Sequence, residues 1–218
     1  MRGADEGAIE RRWLARAGLE PDDFEFFVTK YEKDIFRYLA VLLQDRDLAA
    51  DLTQTTFLSA FENASRFRFR GLTMRGWLFR IAYNAACREA GQRQRRRHRE
   101  VAADVDGPAE GPDPEEGLGG REIAAVLHEE LLELRDAYRH VIVLHYWERL
   151  GVTEIALVMK VKRNTVKSWL GRAREELAER LHRRGVRIEN RRGAPVVELD
   201  PAAEIVPLLR GMAGAADV

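Results

Sequence analysis

The sequence predicts an all-α protein: two small helical domains joined by a flexible acidic linker, the second a helix-turn-helix domain. Three observations carry that expectation. Apolar residues recur at steps of three and four through two long stretches, the period of an amphipathic helix. All seven prolines (Pro21, Pro108, Pro112, Pro114, Pro195, Pro201, Pro207) fall outside 22–107 and 115–194, and proline breaks helix interiors. No alternating run of β-branched residues asks for a sheet.

Five segments follow. Residues 1–23 are an N-terminal extension, in which Ile9, Trp13 and Leu14 mark a short helix. In 24–99 a first helix is read from Phe24, Phe27, Val28, Tyr31, Ile35, Tyr38, Leu39, Leu42 and Leu43. Asp47 can cap a second, through about Asn63, with Leu48, Leu52, Phe57, Leu58 and Phe61 apolar. Thr73 can cap a third, with Trp77, Leu78, Ile81, Ala82 and Ala85 apolar, running into arginines near residue 97. The linker, 100–120, contains DGPAEGPDPEEGLGG, five glycines among its prolines. In 121–184, Ile123, Val126, Leu127, Leu131 and Leu134 mark a helix and Asp136 can cap the next, with Val141, Ile142, Leu144 and Tyr146. A short helix at 153–159 and a long one from about 163 to 183 close the domain; 185–218 is a C-terminal extension.

At 218 residues, 45% hydrophobic and 33% charged, the chain can bury a core. No run of about 18 apolar residues is present, so no membrane insertion is expected. The N-terminus lacks a signal-peptide stretch, which places the protein in the cytoplasm. Cys87, the single cysteine, permits no internal disulfide and reads as a small buried hydrophobe. The five histidines are scattered, and His140 and His145 miss the i,i+4 spacing of shared ligation. No GxxxxGK[ST], HExxH or CxxC motif occurs. Neither metal, cofactor nor enzymatic activity is expected.

The formal net charge is zero, which alone speaks against nucleic acid. Resolved along the chain, it does not. Residues 24–99 hold 15 Lys/Arg against 8 Asp/Glu, 100–120 hold 7 acids and no base, and 121–184 hold 13 bases against 10 acids. Two basic blocks flank an acidic one.

The segment LGVTEIALVMKVKRNTVKSWLGRAR has helix-turn-helix spacing. Thr153 and Glu154 open its first helix; Ile155, Ala156 and Val158 pack inward; Val161 sits in the turn; Val166, Leu170, Ala173 and Leu177 form the second helix's buried stripe. Arg163, Asn164, Lys167, Ser168, Arg172 and Arg174 are then outward donors suited to base edges and phosphates in a major groove. A charged helix face that is merely solvated is the competing reading. Upstream, SRFRFRGLTMRGW interleaves Arg66, Arg68, Arg70 and Arg75 with Phe67 and Phe69. That pattern suits single-stranded nucleic acid, with guanidinium for the backbone and rings for unstacked bases. Core phenylalanines with solvated arginines explain it equally well.

DLTQTTFLSAFENASRFR, followed by RGWLFRIAYNAACRE, resembles the second conserved region of bacterial sigma factors. LRDAYRHVIVLHYWERLGVTEIALVMKVKRNTVKSWLGRAREEL resembles the fourth. The blocks stand in the order, and with the short linker, of the extracytoplasmic-function group of the sigma-70 family. The resemblance implies a factor that binds core RNA polymerase and directs promoter recognition and melting. It implies that Asp51, Leu52, Gln54, Thr55 and Thr56 grip the polymerase β′ clamp; Phe57, in the same motif, is read as core. It implies that Arg66, Phe67, Arg68, Phe69, Arg80, Asn84 and Arg88 handle the melted minus-ten strand, with Trp77 as core. It implies that Arg163, Asn164, Lys167, Ser168, Arg172 and Arg174 read the minus-thirty-five duplex, while the same domain touches the β flap. An anti-sigma factor is a further partner that the family brings.

The sequence departs from the family at several positions. Arg88 stands where Asp is common, Gly91 interrupts a helix usually rich in Arg and Leu, and Trp169 stands where a basic residue is common. Gly151 and Val152 replace a usual Ser-Tyr pair, and Lys160 and Asn164 replace turn glycines. The tail carries an apolar patch, Ile205, Val206, Leu208 and Leu209, read either as disordered or as a regulatory segment that folds back on a binding surface. Two rival functions stand beside the sigma reading: a helix-turn-helix regulator that binds duplex DNA without polymerase, and an adaptor or antagonist whose basic faces bind acidic proteins.

Overall fold

A computed structural model describes residues 21–64, 71–100 and 120–184. Residues 1–20, with the expected helix around Ile9, Trp13 and Leu14, the C-terminal extension, the interior of the acidic linker and residues 65–70, which include Arg66–Phe69, lie outside the described residues. Everything described is helical or a short connection: α1 (Pro21–Leu43), α2 (Arg46–Asn63), α3 (Met74–Glu100), α4 (Gly120–Leu132), α5 (Asp136–Ile142) with a π-helical turn (Val143–Trp147), α6 (Val152–Met159) and α7 (Arg163–Arg183).

Helix α1 begins on Pro21, one residue before the proline-free stretch; the first helical position tolerates proline because its N–H would be unpaired anyway. Its stripe is as the periodicity predicts: Phe24, Phe27, Tyr31, Ile35, Tyr38, Leu39, Leu42 and Leu43 are buried, and Val28 lies at the margin. Gln44 ends it in a left-handed conformation, φ 54°. The next cap is Asp45, not Asp47. The Asp45 carboxylate accepts from Leu48 N at 3.0 Å, and Asp47 falls in the first turn, where a negative charge favours the helix dipole.

Helix α2 packs on α1 through an uncommon stripe: Ala49, Thr53, Thr56, Phe57 and Ala60. The Thr53 and Thr56 hydroxyls donate to the carbonyls of Ala49 and Leu52, each at 2.7 Å, so neither threonine buries an unpaired hydroxyl. Phe24 meets Phe57 and Phe61 edge-on, at centroid separations of 6.4 and 5.2 Å.

Thr73 caps α3 as expected: its Oγ1 accepts from Gly76 N at 3.1 Å, and its carbonyl accepts the first helical bond from Trp77 N at 2.9 Å. Met74, Trp77, Leu78, Phe79, Ala82, Ala85 and Ala86 are buried, while Ile81 is half-buried. Tyr38 meets Phe79 edge-on at 5.5 Å, and Arg75 lies over the same ring while reaching Asp34 at 3.4 Å. The helix continues through Gly91 without a break.

The described contacts form two compact units, each including helices from both halves of the sequence. Of the described residues, one holds those of 21–86 with Leu150–Arg163; the other holds those of 87–149 and 164–184. In the second unit, α4 buries Leu127 and Leu131, and Val126 is half-buried; the side chain of Ile123 lies outside the described set. The α5 N-cap residue is Arg135, which makes no side-chain cap bond, and Asp136 is in the first turn instead of capping. Eight of the twelve residues of α5 and the π turn are buried, while Ala137, Arg139 and His145 are half-buried and Asp136 is exposed. The π turn closes with Glu148 N donating to Val143 O at 3.1 Å. Arg139 donates through Nη2 to the carbonyls of Leu132 and Leu134, satisfying acceptors left open at the end of α4. Arg180 of α7 and Arg184, just past its end, reach Glu130 of α4 at 3.6 and 3.4 Å, and Arg184 also pairs with Glu129. The α7 stripe is Val166, Leu170, Ala173, Leu177, Ala178 and Leu181.

In the other unit, α6 ends on Lys160, a non-glycine residue in the left-handed region at φ 56°. The N–H groups of Lys160 and Val161 both bond the Ala156 carbonyl, Val161 at 3.0 Å. Three residues, 160–162, then connect α6 to α7.

Cys87 is exposed, contrary to the expectation of a buried hydrophobe, and its Sγ lies 3.9 Å from His140 Nε2. Burial, and secondarily the Arg139 charge, push the His140 pKa down to about 3. The unfolded chain therefore takes up a proton below about pH 6.5 that the folded chain refuses until about pH 3. Stability from this group is complete above about pH 6.5 and declines on acidification, by up to ~1.4 kcal/mol per pH unit. Urea unfolding between pH 7 and pH 4 should show the decline, and His140→Gln should reduce its slope by one proton's worth. An unchanged slope in the variant would contradict the assignment.

Candidate nucleic-acid and partner interfaces

Helix α2 turns one stripe outward. Asp51, Gln54 and Thr55 are exposed, Leu52 is half-buried, and the stripe continues one and two turns on with Leu58 and Phe61, 59% and 45% exposed. The Thr55 hydroxyl donates to Asp51 O at 2.9 Å. Thr56 is not on this stripe: it is 0% exposed and its hydroxyl is committed to Leu52 O. Leu58 and Phe61, taken from the sequence as apolar positions of the helix, are the large hydrophobics that the described residues leave exposed. One signal could have found Leu58. Phe57 and Leu58 are consecutive, and a helix cannot turn both toward one neighbour. Small residues at 49, 53, 56 and 60 already supply the inward stripe. The result is a surface with two polar turns followed by two apolar ones, suited to a protein partner.

The minus-ten candidates divide. Arg66, Phe67, Arg68 and Phe69 lie outside the described residues. Arg80, Asn84 and Arg88 recur at i, i+4 and i+8 along α3, so they share one face of the helix over about 12 Å. Arg80 is half-buried; Asn84 and Arg88 are exposed. The line presents a guanidinium, an amide and a second guanidinium, donors suited to a strand backbone and to base edges. Trp77 is buried as expected, and Arg75, engaged with Asp34 and the Phe79 ring, does not belong to the line.

On α7, Arg163, Asn164, Lys167, Ser168 and Arg172 are exposed in the N-terminal half, the part that enters the groove in helix-turn-helix docking. Arg174 is half-buried and its Nε bonds Leu170 O at 3.1 Å, which ties part of its guanidinium to its own helix. Trp169 is half-buried beside this face. With Lys160 and Lys162 also exposed, the turn and the start of α7 carry four cationic side chains within eight residues. Cations at that density have the chemistry to neutralise phosphates.

Comparison with known proteins agrees with this geometry. Residues 27–97 match the family model for sigma-70 region 2, and 124–177 match that for sigma-70, region 4. The chain is 30% identical over 159 residues to the ECF RNA polymerase sigma factor SigM of Bacillus subtilis, covering 73% of this chain and 94% of that protein. It is 28% identical over 172 residues to SigW of the same species, covering 74% and 90%. Among solved structures, the sigma factor RpoE bound to the anti-sigma factor NepR, from Bartonella quintana, superposes with a TM-score of 0.60 at 23% identity, over 73% of this chain and 97% of that one. CnrH, in complex with the cytosolic domain of CnrY, gives 0.54 at 24% identity, over 80% and 98%. These two structures are similar in fold.

Leu58→Ser should leave thermal stability within about 0.5 kcal/mol of the parent, the response of a surface side chain. A loss of ~2 kcal/mol or more would put Leu58 in the core and remove it from the stripe.

Proposed function

The chain belongs to the extracytoplasmic-function sigma factors of the sigma-70 family, and from that premise we infer that it binds core RNA polymerase and directs promoter recognition and DNA melting. The observation that carries the reading is the pair of family blocks in order, each with an outward surface of fitting chemistry. Residues 24–99 form the polymerase-binding and melting domain, 100–120 the tether, and 121–184 the duplex-reading domain. Asp51, Gln54 and Thr55, extended by Leu58 and Phe61, are the surface for the β′ clamp. Leu52 contributes at its margin, and Thr56 supports it from beneath. Arg80, Asn84 and Arg88, with Arg66, Phe67, Arg68 and Phe69, take the minus-ten strand; Arg163, Asn164, Lys167, Ser168 and Arg172 read the upstream duplex, with Arg174 a weaker phosphate contact. The β flap meets the second domain.

No bond is made or broken in this work. Strand separation costs a few kcal/mol per extruded base, and contacts to the released strand offset it. The protein therefore acts as a binding factor and not as an enzyme. Among the described residues no helix is long and apolar enough to cross a membrane, and a factor whose partner is RNA polymerase works in the cytoplasm. An anti-sigma factor is a second partner, as in the RpoE–NepR structure.

Charge reversal at Lys167 and Arg172 separates this reading from its rivals. It should cut upstream-duplex affinity at least tenfold and flatten its salt dependence by about two phosphate contacts, with core binding unchanged. Leu58→Ser should do the opposite, costing ~1–3 kcal/mol of core affinity and leaving duplex binding intact. Duplex binding without measurable core affinity in the parent would favour the stand-alone regulator. Core affinity without any promoter preference would favour the adaptor.

A further inference from the structure

We propose that Gly171 is a positioning residue of the duplex-reading face. By leaving the middle of α7 bare, it lets the helix seat deep enough in a major groove for the short side chains of Asn164 and Ser168 to reach base edges. The proposal rests on the sigma reading above and states how that face selects its duplex.

Glycine inside a helix is destabilising relative to alanine, because it gives up the most backbone freedom and adds no side chain to pack. Such a residue asks for a compensating reason. At Gly76, near the start of α3, the reason is internal: a Cβ there would stand 2.8 Å from Leu72 Cδ1. At Gly171 the described residues supply none. The position lies in the interior of α7, its backbone is helical, and a Cβ there would meet nothing within 4 Å. Neither a left-handed conformation nor a close neighbour excludes a side chain. The reason therefore lies in what docks on α7.

The residues around Gly171 indicate what docks. Asn164, Ser168 and Gly171 follow one another at steps of four and three, so they form one line along the helix. Asn164 and Ser168 are exposed, and the line faces away from the buried stripe of Val166, Leu170, Ala173 and Leu177. Lys167 and Arg172, both exposed, stand on either side of it. The cross-section is a low centre of amide, hydroxyl and bare backbone between two long cationic arms. A major groove has the complementary section, with base edges on its floor and phosphates along its walls. Asparagine and serine can pair with base edges, but their reach is short. A bulky residue at 171 would strike the floor first and hold both away from it. The arms of Lys167 and Arg172 are long enough to follow their phosphates through such a displacement. Glu175, exposed and next on the line, is repelled by phosphate and marks where the seated stretch ends. Gly171 thus governs base readout more than phosphate attraction.

The test uses holoenzyme assembled from core polymerase and the full chain, with the upstream duplex that this holoenzyme selects from a random library. Gly171→Ala adds one methyl group, and Gly171→Leu adds a bulky side chain of good helix propensity. Both should raise the thermal midpoint of the free chain by about 2–4 °C, because nothing inside the protein opposes the added group. Both should bind the selected duplex more weakly, Gly171→Ala by about threefold and Gly171→Leu by about tenfold or more. In Gly171→Leu the penalty for single base-pair changes should fall to within about twofold, while the salt slope stays within about one phosphate of the parent's. Lys167→Ala should do the converse, lowering the slope by about one and keeping the base-pair penalties. A Gly171→Leu variant whose base-pair penalties match the parent's overturns the proposal. So does a lowered midpoint in Gly171→Ala, which would give the glycine a reason inside the fold. A parent chain that binds no core polymerase, or whose holoenzyme selects no duplex, overturns the sigma reading instead, so the two failures are distinguishable.

Discussion

Helix α2 can lie close against α1 only because the side chains between them are small or internally satisfied. Ala49 and Ala60 occupy little space, and Thr53 and Thr56 bury their hydroxyls by donating them back to the preceding turn. Buried unpaired, each hydroxyl would cost on the order of 1–3 kcal/mol. Phe57 is the buried bulky residue on that face, and Phe24 meets it and the half-exposed Phe61 edge-on. With the inward face filled this way, Leu58 is turned to solvent beside Asp51, Gln54 and Thr55, and Phe61, edge-on to Phe24, stays 45% exposed at the border of the same surface. The proposed polymerase surface is thus a consequence of how α2 solves its own packing.

Where a structural choice was made by residue type and spacing alone, the sequence showed it. The α1 stripe, the Thr73 cap, the buried Trp77 and the inward residues of α7 were all legible from period and chemistry. Where two residues could satisfy the same rule, it did not. Asp45 and Asp47 are both competent caps, and the choice falls on the one whose extended backbone, φ −141°, lets its carboxylate reach the N–H three residues on. Asp136 has a capping side chain, but Arg135 occupies the cap position. Leu58 and Phe61 are read from the sequence only as apolar positions of the helix, and hydrophobicity alone does not show their exposure: Leu58 directly follows the inward Phe57, and Phe61 meets Phe24 yet stays 45% exposed. Arg174 stands in the motif at a plausible reading position, yet its bond to Leu170 O follows from a rotamer that spacing does not specify. The hydrogen bond from Thr73 Oγ1 to Glu154 Oε1, 2.9 Å, joins residues 81 apart, and no local pattern encodes it.

A protein that acts by binding alone has to spend its charge where partners are. Net neutrality hides that distribution: basic blocks at 24–99 and 121–184 are balanced by the seven acids of 100–120 together with the mildly acidic ends, 1–23 and 185–218. The cations at the start of α7 and along α3 are the share we propose for DNA, while Arg75, Arg139, Arg180 and Arg184 are engaged with carboxylates and carbonyls that hold the helices. Counting arginines overstates the DNA-facing charge; sorting them by partner gives it.

The central claim is that this chain confers promoter specificity on RNA polymerase. Run-off transcription with purified core enzyme and a library of promoter fragments tests it most directly. Addition of the chain should produce discrete transcripts from a subset of fragments that core enzyme alone does not initiate. Tight binding to core with no specific transcript from any fragment would contradict it.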